Sequence, residues 1–149
     1  MTQASTRKSH ALSLWFQRKV NARTVVKMRR KGTARMMGMD MLILNTVGAK
    51  TGQPSQTPLS WFADGDDTWL VVASGGGPVH PDWYVNLMAH PDGVSAEFPG
   101  RSTVSVAPHK LSGADREQAW KLITTAQPRY AKYQRKADRQ YPLVRLTPR

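Results

Sequence analysis

The sequence predicts an α+β fold in which short strands close into a compact barrel and helices are inserted at few places rather than after every strand. Three observations carry that expectation. The apolar segments are mostly of strand length, glycine and proline turns bound them, and helix-period segments interrupt the body only after Pro81 and after Ser112. With 149 residues the chain suits one such domain, large enough to bury a core without disulfides or a structural metal.

Taken in order, the chain opens with a basic head. From His10 to about Arg30, Leu12, Trp15, Phe16, Val20 and Val26 recur near helical spacing among Arg18, Lys19, Arg23, Lys27 and Arg29, which reads as a basic amphipathic helix. Such a helix suits an anionic membrane surface, where aromatics insert and each cation contributes about 1 kcal/mol, or packs on its own domain with a solvated basic face. "MLILNTVG" follows as a buried strand, Gln56 to Ala63 as the next, and Asp64-Gly65-Asp66 turns the chain into "TWLVVA". After Ser74-Gly75-Gly76-Gly77-Pro78, Pro81 opens a short helix that His90-Pro91 closes. Gly93 to Phe98 and Ser102 to Ala107 are two more strands joined by Pro99-Gly100. Ser112 with Asp115 reads as a capping box for a helix to about Ala126. Pro128 starts a last helical stretch carrying Tyr130 and Tyr133, and "YPLVRL" is the final strand. The division that results is a basic N-terminal extension, residues 1–35, and a barrel domain, residues 36–149.

Composition removes several function classes. The absence of cysteine excludes thiol chemistry, disulfide scaffolding and CxxC zinc sites. His10, His80, His90 and His109 are scattered without metal-ligand spacing, so no metal is expected. No GxSxG or other hydrolase context surrounds Ser13, Ser60 or Ser74. No apolar run approaches the roughly 20 residues that cross a bilayer, and the head has no hydrophobic signal region; a cytoplasmic protein is expected, held at the membrane's inner face by residues 10–30. The net charge of +12 is uneven, since residues 1–35 hold ten Lys/Arg and no acid. Without a recognised motif beside that charge, no nucleic-acid partner is expected.

Two glycine-rich turns are candidates for chemistry. "NTVGAKTGQP" lacks the glycines of a P-loop, having Ala49 and Leu44 where they would stand, but Lys50, Thr51 and Gly52 can still offer one cation and backbone N–H groups to a phosphate. A plain hairpin turn is the alternative. Ser74, Gly75 and Gly76 lead toward a helix N-terminus and form a second plausible anion cradle, or simply a loop. Trp83 and Asn86, three apart on that helix, could wall an aromatic ligand and hydrogen-bond its edge, or belong to core and turn. Tyr130 and Tyr133 could line a pocket mouth and donate protons, or lie with their hydroxyls in water.

Together "LILNTVGAKTGQPSQTPLSWFADGDDTWLVVAS", "HPDWYVNLMAHP" and "YAKYQRKADRQYPLV" resemble the deazaflavin-dependent nitroreductase family, actinobacterial reductases that use coenzyme F420. The similarity runs from about Met41 to Pro148. It implies a split β-barrel related to FMN-binding reductases, with coenzyme F420 rather than FMN as cofactor. By position it places Lys50, Thr51 and Gly52 at the deazaflavin side chain's phosphate and Pro58 and Leu59 beside the ring. Ala73, Ser74, Gly75 and Gly76 fall at the ring's polar edge, Trp83 and Asn86 on the neighbouring helix. Tyr130, Tyr133 and Ser74 would be the catalytic groups, acting on a quinone-like or nitroaromatic acceptor. Family members often carry Arg, Tyr and Lys where this chain has Ala49, Ser60 and Gly75, so two cofactor-facing cations are missing and a modest coenzyme affinity is expected. Relatives that carry fatty acids or other hydrophobic ligands on the same barrel imply the alternative, a noncatalytic carrier.

Overall fold

The computed structural model describes residues 18–32, 35–75 and 77–149. Residues 18–31 form helix α1. The strands β1 (Arg35–Met36), β2 (Met39–Val47), β3 (Pro54–Ser60), β4 (Phe62–Ala63) and β5 (Trp69–Val72) precede helix α2 (Asp82–Ala89). A single 3₁₀ turn, Pro91–Gly93, leads to β6 (Ser95–Glu97) and β7 (Thr103–Lys110), then α3 (Gly113–Ala126), α4 (Arg129–Lys136) and β8 (Leu143–Pro148).

Every strand pairing is antiparallel, in the order β1-β2-β6-β7-β8-β5-β4. β3 pairs with β2 over its whole length, from Val47 opposite Pro54 to Met41 opposite Ser60, and Trp61 alone separates it from β4. The sheet therefore returns to its own first strands and closes as a barrel, as the sequence predicts.

Period-two alternation sorts the side chains. On β2, Leu42 and Leu44 point inward and Ile43 outward; on β5, Val71 faces in and Leu70 and Val72 face out. Inside, these residues meet Val106, Val144 and Leu146, and α2 closes one end with Trp83, Tyr84 and Leu87. Outside, α3 and α4 cover β5 and β8 through Ala119, Ile123, Tyr130 and Leu143. The third cluster is small: Val25 and Met28 of α1 against Ile43, with Met41 beside them.

Three local details differ from expectation. Ser112 does occupy the N-cap of α3, but no side chain caps it, and the Asp115 carboxylate instead forms a bidentate pair with Arg145 at 2.8 Å for both bonds. Arg145 also holds Asp64, so one guanidinium ties the β4–β5 turn, β8 and α3 together, and it draws the Asp115 carboxyl below its ordinary pKa. Second, the strand from Gln56 to Ala63 breaks at Trp61, where the chain passes from pairing with β2 to pairing with β5. Third, Val20 and Val26 are exposed at 44% and 54%, and the buried stripe of α1 is Val25 and Met28. Leu12, Trp15 and Phe16 lie outside the described residues. None of the helices among the described residues is long and apolar enough to cross a membrane.

Candidate active site

A cleft of about 780 Å³ runs along the outer side of β3. Its first wall is β3 itself, Pro54 to Ser60; opposite stand Arg18, Asn21 and Ala22 of α1 and the start of α2, Pro81 to Trp83. Ser74 and Gly75 enter from the loop after β5, and Met41, Val72 and Tyr130 complete the lining. Among the described residues β3 is paired only with β2, so its other edge presents backbone groups to the cleft. Seven extended residues span about 20 Å, so the cleft is long.

One end is aromatic. Tyr130 is 7% exposed and stands edge-on to Phe62 and Tyr133, with its hydroxyl 3.8 Å from the Met39 sulfur. Burial pushes the phenol pKa up; a hydrogen bond with Ser60 and the charge of Arg129 act in the opposite direction, while Tyr133 adds to the rise. The hydroxyl thus stays protonated at neutral pH and is a donor. Ser60 donates to the Met41 sulfur at 3.2 Å. Trp83, 4% exposed, does both things the sequence left open: it belongs to the barrel core and also lines the cleft. Pro58 and Leu59 line it too.

At the opposite end, Pro54 follows the turn that joins β2 to β3. Gly48 donates to the Gln53 carbonyl at 2.8 Å, Gly52 to the Gly48 carbonyl at 2.9 Å, and the Gln53 amide to Thr51 Oγ1 at 3.2 Å. The Ala49 amide reaches the Asn86 side chain at 2.9 Å, and Asn86 Nδ2 donates to Thr46 Oγ1 at 3.2 Å. Asn86 is therefore a buried pin between α2, β2 and the turn, and does not line the cleft. Gly52 needs its glycine, with φ at +68°, and a Cβ on Gly48 would meet Thr51 Oγ1 at 2.3 Å. Those amides are engaged within the protein; Lys50 is exposed on this turn, and Lys50, Thr51 and Gly52 stand outside the residues that line the cleft.

The remaining predicted residues divide. Ser74 and Gly75 reach the cleft; Ala73 is fully buried in the barrel core behind them; Gly76 lies outside the described residues. Tyr133 is half exposed and outside the lining, touching Tyr130 at 5.8 Å between ring centres. Sequence reasoning missed three contributors. Arg18 and Asn21 of α1 stand on the cleft, and Arg18 pairs with Asp82 at 2.9 Å across its mouth; their period was visible, but not which barrel face the helix would meet. Arg139 grips the loop after β5 from behind, across more than sixty residues of sequence, and no local pattern signals that.

A cleft with a buried phenol donor at the Ser60 end of β3, and an exposed lysine on the turn beyond its Pro54 end, has room for an elongated ligand with a planar head and an anionic tail. Residues 15–148 match the family described as F420H(2)-dependent quinone reductase. An F420H(2)-dependent quinone reductase of Mycobacterium tuberculosis is 38% identical over 109 residues, 72% of this chain and 73% of the relative. The solved structure of an F420-H2 dependent reductase is 36% identical, with a TM-score of 0.62 over 71% of this chain and 92% of that one. A haem storage protein from Vibrio cholerae, 16% identical with a TM-score of 0.51 over 84% of this chain and 87% of that one, is alike in fold alone.

Proposed function

Since the chain belongs to the F420H(2)-dependent quinone reductase family, we propose that it is an oxidoreductase that binds reduced coenzyme F420 along β3 and reduces a quinone-like acceptor beside Tyr130. The observation that carries the reading is the long cleft beside β3, with Tyr130 at one end and the Lys50 turn just beyond the other. When bound, the reduced deazaflavin supplies a hydride from a ring carbon. The chain's own tasks are to hold the ring, exclude water and provide a proton.

Pro58 and Leu59 give the ring an apolar flank, and Ser74 and Gly75 approach its polar edge with little side chain in the way. Lys50 and the turn around it take the phosphate. The acceptor occupies the Tyr130 end, between β3 and α1. As hydride arrives there, one acceptor oxygen becomes an anion, and the Tyr130 hydroxyl, kept protonated by burial, donates to it; solvent returns the proton to the phenolate. Ser60 and Tyr133 flank Tyr130 as polar neighbours. Nitroaromatics would accept hydride at the same place.

Tyr130→Phe removes that proton while keeping the ring, so turnover should fall roughly tenfold to a hundredfold with coenzyme affinity unchanged. Equal turnover in wild type and Tyr130→Phe, across several quinones, would assign the proton to water.

The acceptor's own solubility motivates a second part of the reading. Lipid-soluble quinones reside in membranes, and the exposed basic face of α1 borders the acceptor end of the cleft. We place the protein at an anionic bilayer surface through residues 10–30. Because Arg18, Asn21 and Ala22 also wall the cleft, the clean test removes only residues 1–17. Intact protein should co-sediment with anionic vesicles, less so as salt rises, and the truncated one should stay in solution; equal sedimentation by two folded proteins would refute the anchor.

A further inference from the structure

We propose that Arg139 is a positioning residue for coenzyme binding, holding the loop after β5 so that the Ser74 amide is presented to the cleft; the inference rests on reading that cleft as the F420 site. One guanidinium makes four contacts with this loop and its end. Nη1 donates to the Ala73 carbonyl at 3.0 Å, Nη2 to the Gly75 carbonyl at 2.7 Å and Nε to the Gly77 carbonyl at 3.2 Å. Nη1 also lies 3.1 Å from Nδ1 of His80, whose ring accepts there when neutral.

Arg139 is itself held. Gln134 of α4 donates to the Arg139 carbonyl at 2.8 Å and accepts from the Tyr141 amide at 2.8 Å, and the guanidinium lies 5.0 Å from the centre of the Tyr141 ring. The segment between α4 and β8 is thus a platform, and the guanidinium is its one long reach toward the loop. The platform also accepts the Ala73 amide, through the Pro142 carbonyl at 2.9 Å.

Peptide planarity gives these bonds their consequence. In a trans peptide the carbonyl and the following N–H point to opposite sides. With the Ala73 carbonyl turned onto Arg139, the Ser74 N–H is turned the other way, and Ser74 and Gly75 are the residues of this loop that line the cleft. A charged donor on the carbonyl also polarises the amide, making it a stronger donor to a ligand. Among the described residues no carboxylate pairs with Arg139, so its full charge stands behind the loop. Gly75 brings no side-chain cation to the cleft; Arg139 supplies one from the rear.

The test compares wild type, Arg139→Lys and Arg139→Ala by fluorescence titration with coenzyme F420 and by steady-state reduction of a soluble quinone, with circular dichroism and melting as folding controls. Arg139→Ala should raise the coenzyme Kd and KM about tenfold to a hundredfold while kcat changes less than about threefold. Arg139→Lys, which keeps the charge but not the three-pronged geometry, should fall between. Millimolar methylguanidinium should restore part of the lost affinity to Arg139→Ala, which a general packing defect would not permit. A folded Arg139→Ala with wild-type Kd, or a loss confined to kcat, would overturn the proposal. If Arg139→Ala does not fold, Arg139→Lys decides: a Kd raised at least threefold supports the proposal, and an unchanged Kd overturns it. Failure of the wild type itself to bind would instead take down the reading of the cleft.

Discussion

The two turns share a richness in glycine and have opposite construction. Between β2 and β3 the turn satisfies itself: its amides bond to its own carbonyls, to Thr51 and to Asn86, and what it offers outward is mainly one lysine. After β5 the loop is held mainly by its carbonyls, gripped by Arg139, and Ser74 and Gly75 line the cleft. Glycine alone therefore does not make an anion cradle. Whether amides or carbonyls are taken up inside the protein decides which groups remain for a ligand.

Removing the pin of the first turn should have the largest effect. Asn86→Ala strands the Ala49 amide and the Thr46 hydroxyl against the buried face of α2, and at about 1–2 kcal/mol for each, the lower part of the usual range because Ala49 is part exposed, the expected loss is about 2–4 kcal/mol. A melting temperature lower by roughly 5–15 °C would show it; a shift under about 2 °C would mean that water replaces the amide. Gly48→Val should cost less stability but distort the turn, since a Cβ there collides with Thr51 Oγ1. Its coenzyme Kd should rise about tenfold, and a normal Kd would remove the turn from the site.

Lys50→Ala tests the same turn without moving its backbone. Because one exposed charge is lost, coenzyme affinity should drop several-fold at low salt and the difference should vanish by about 1 M salt. Affinity equal to wild type at low salt would contradict a phosphate there.

The smallest effect belongs to the second loop. His80 faces Arg139 and Lys110 and touches the Tyr84 ring, and desolvation first, then those two cations, lower its pKa below the ordinary 6.5. A group whose folded pKa is depressed contributes stability that is complete above its unfolded pKa and is lost as pH falls through the folded one. Below about pH 6.5 the loop should loosen as the ring takes a proton and repels Arg139. Protection of the Ala73 amide, which donates to the Pro142 carbonyl, should fall there in the wild type more than in His80→Gln once the intrinsic pH dependence of exchange is divided out; parallel profiles would remove His80 from the hold on this loop.

Much of the barrel was legible because alternation and turn residues coincide. Val71 inward with Leu70 and Val72 outward, bounded by Asp64-Gly65 and Ser74-Gly75, leaves little freedom for β5. Pro81 and His90-Pro91 likewise bracket α2. What stayed hidden depends on contacts distant in sequence. Asp115 three residues after Ser112 fits a capping box, yet Arg145 from the last strand competes for the carboxylate and wins with two charge-assisted bonds. Tyr130 and Tyr133 look alike on one helix, and only the packing of α4 on β5 sends one into the cleft and leaves the other half exposed. For α1, an apolar periodicity that includes Val26 points to one face, whereas the barrel takes Val25 and Met28.

Following the reappearance of oxidised F420 after reduced coenzyme and a soluble quinone are mixed with the protein tests the proposed reaction most directly. Oxidation should depend on the quinone, saturate in both reactants and slow at least tenfold in Tyr130→Phe. Coenzyme that is neither bound saturably nor oxidised faster with protein than without it would contradict the assignment and return the cleft to a carrier of hydrophobic ligands.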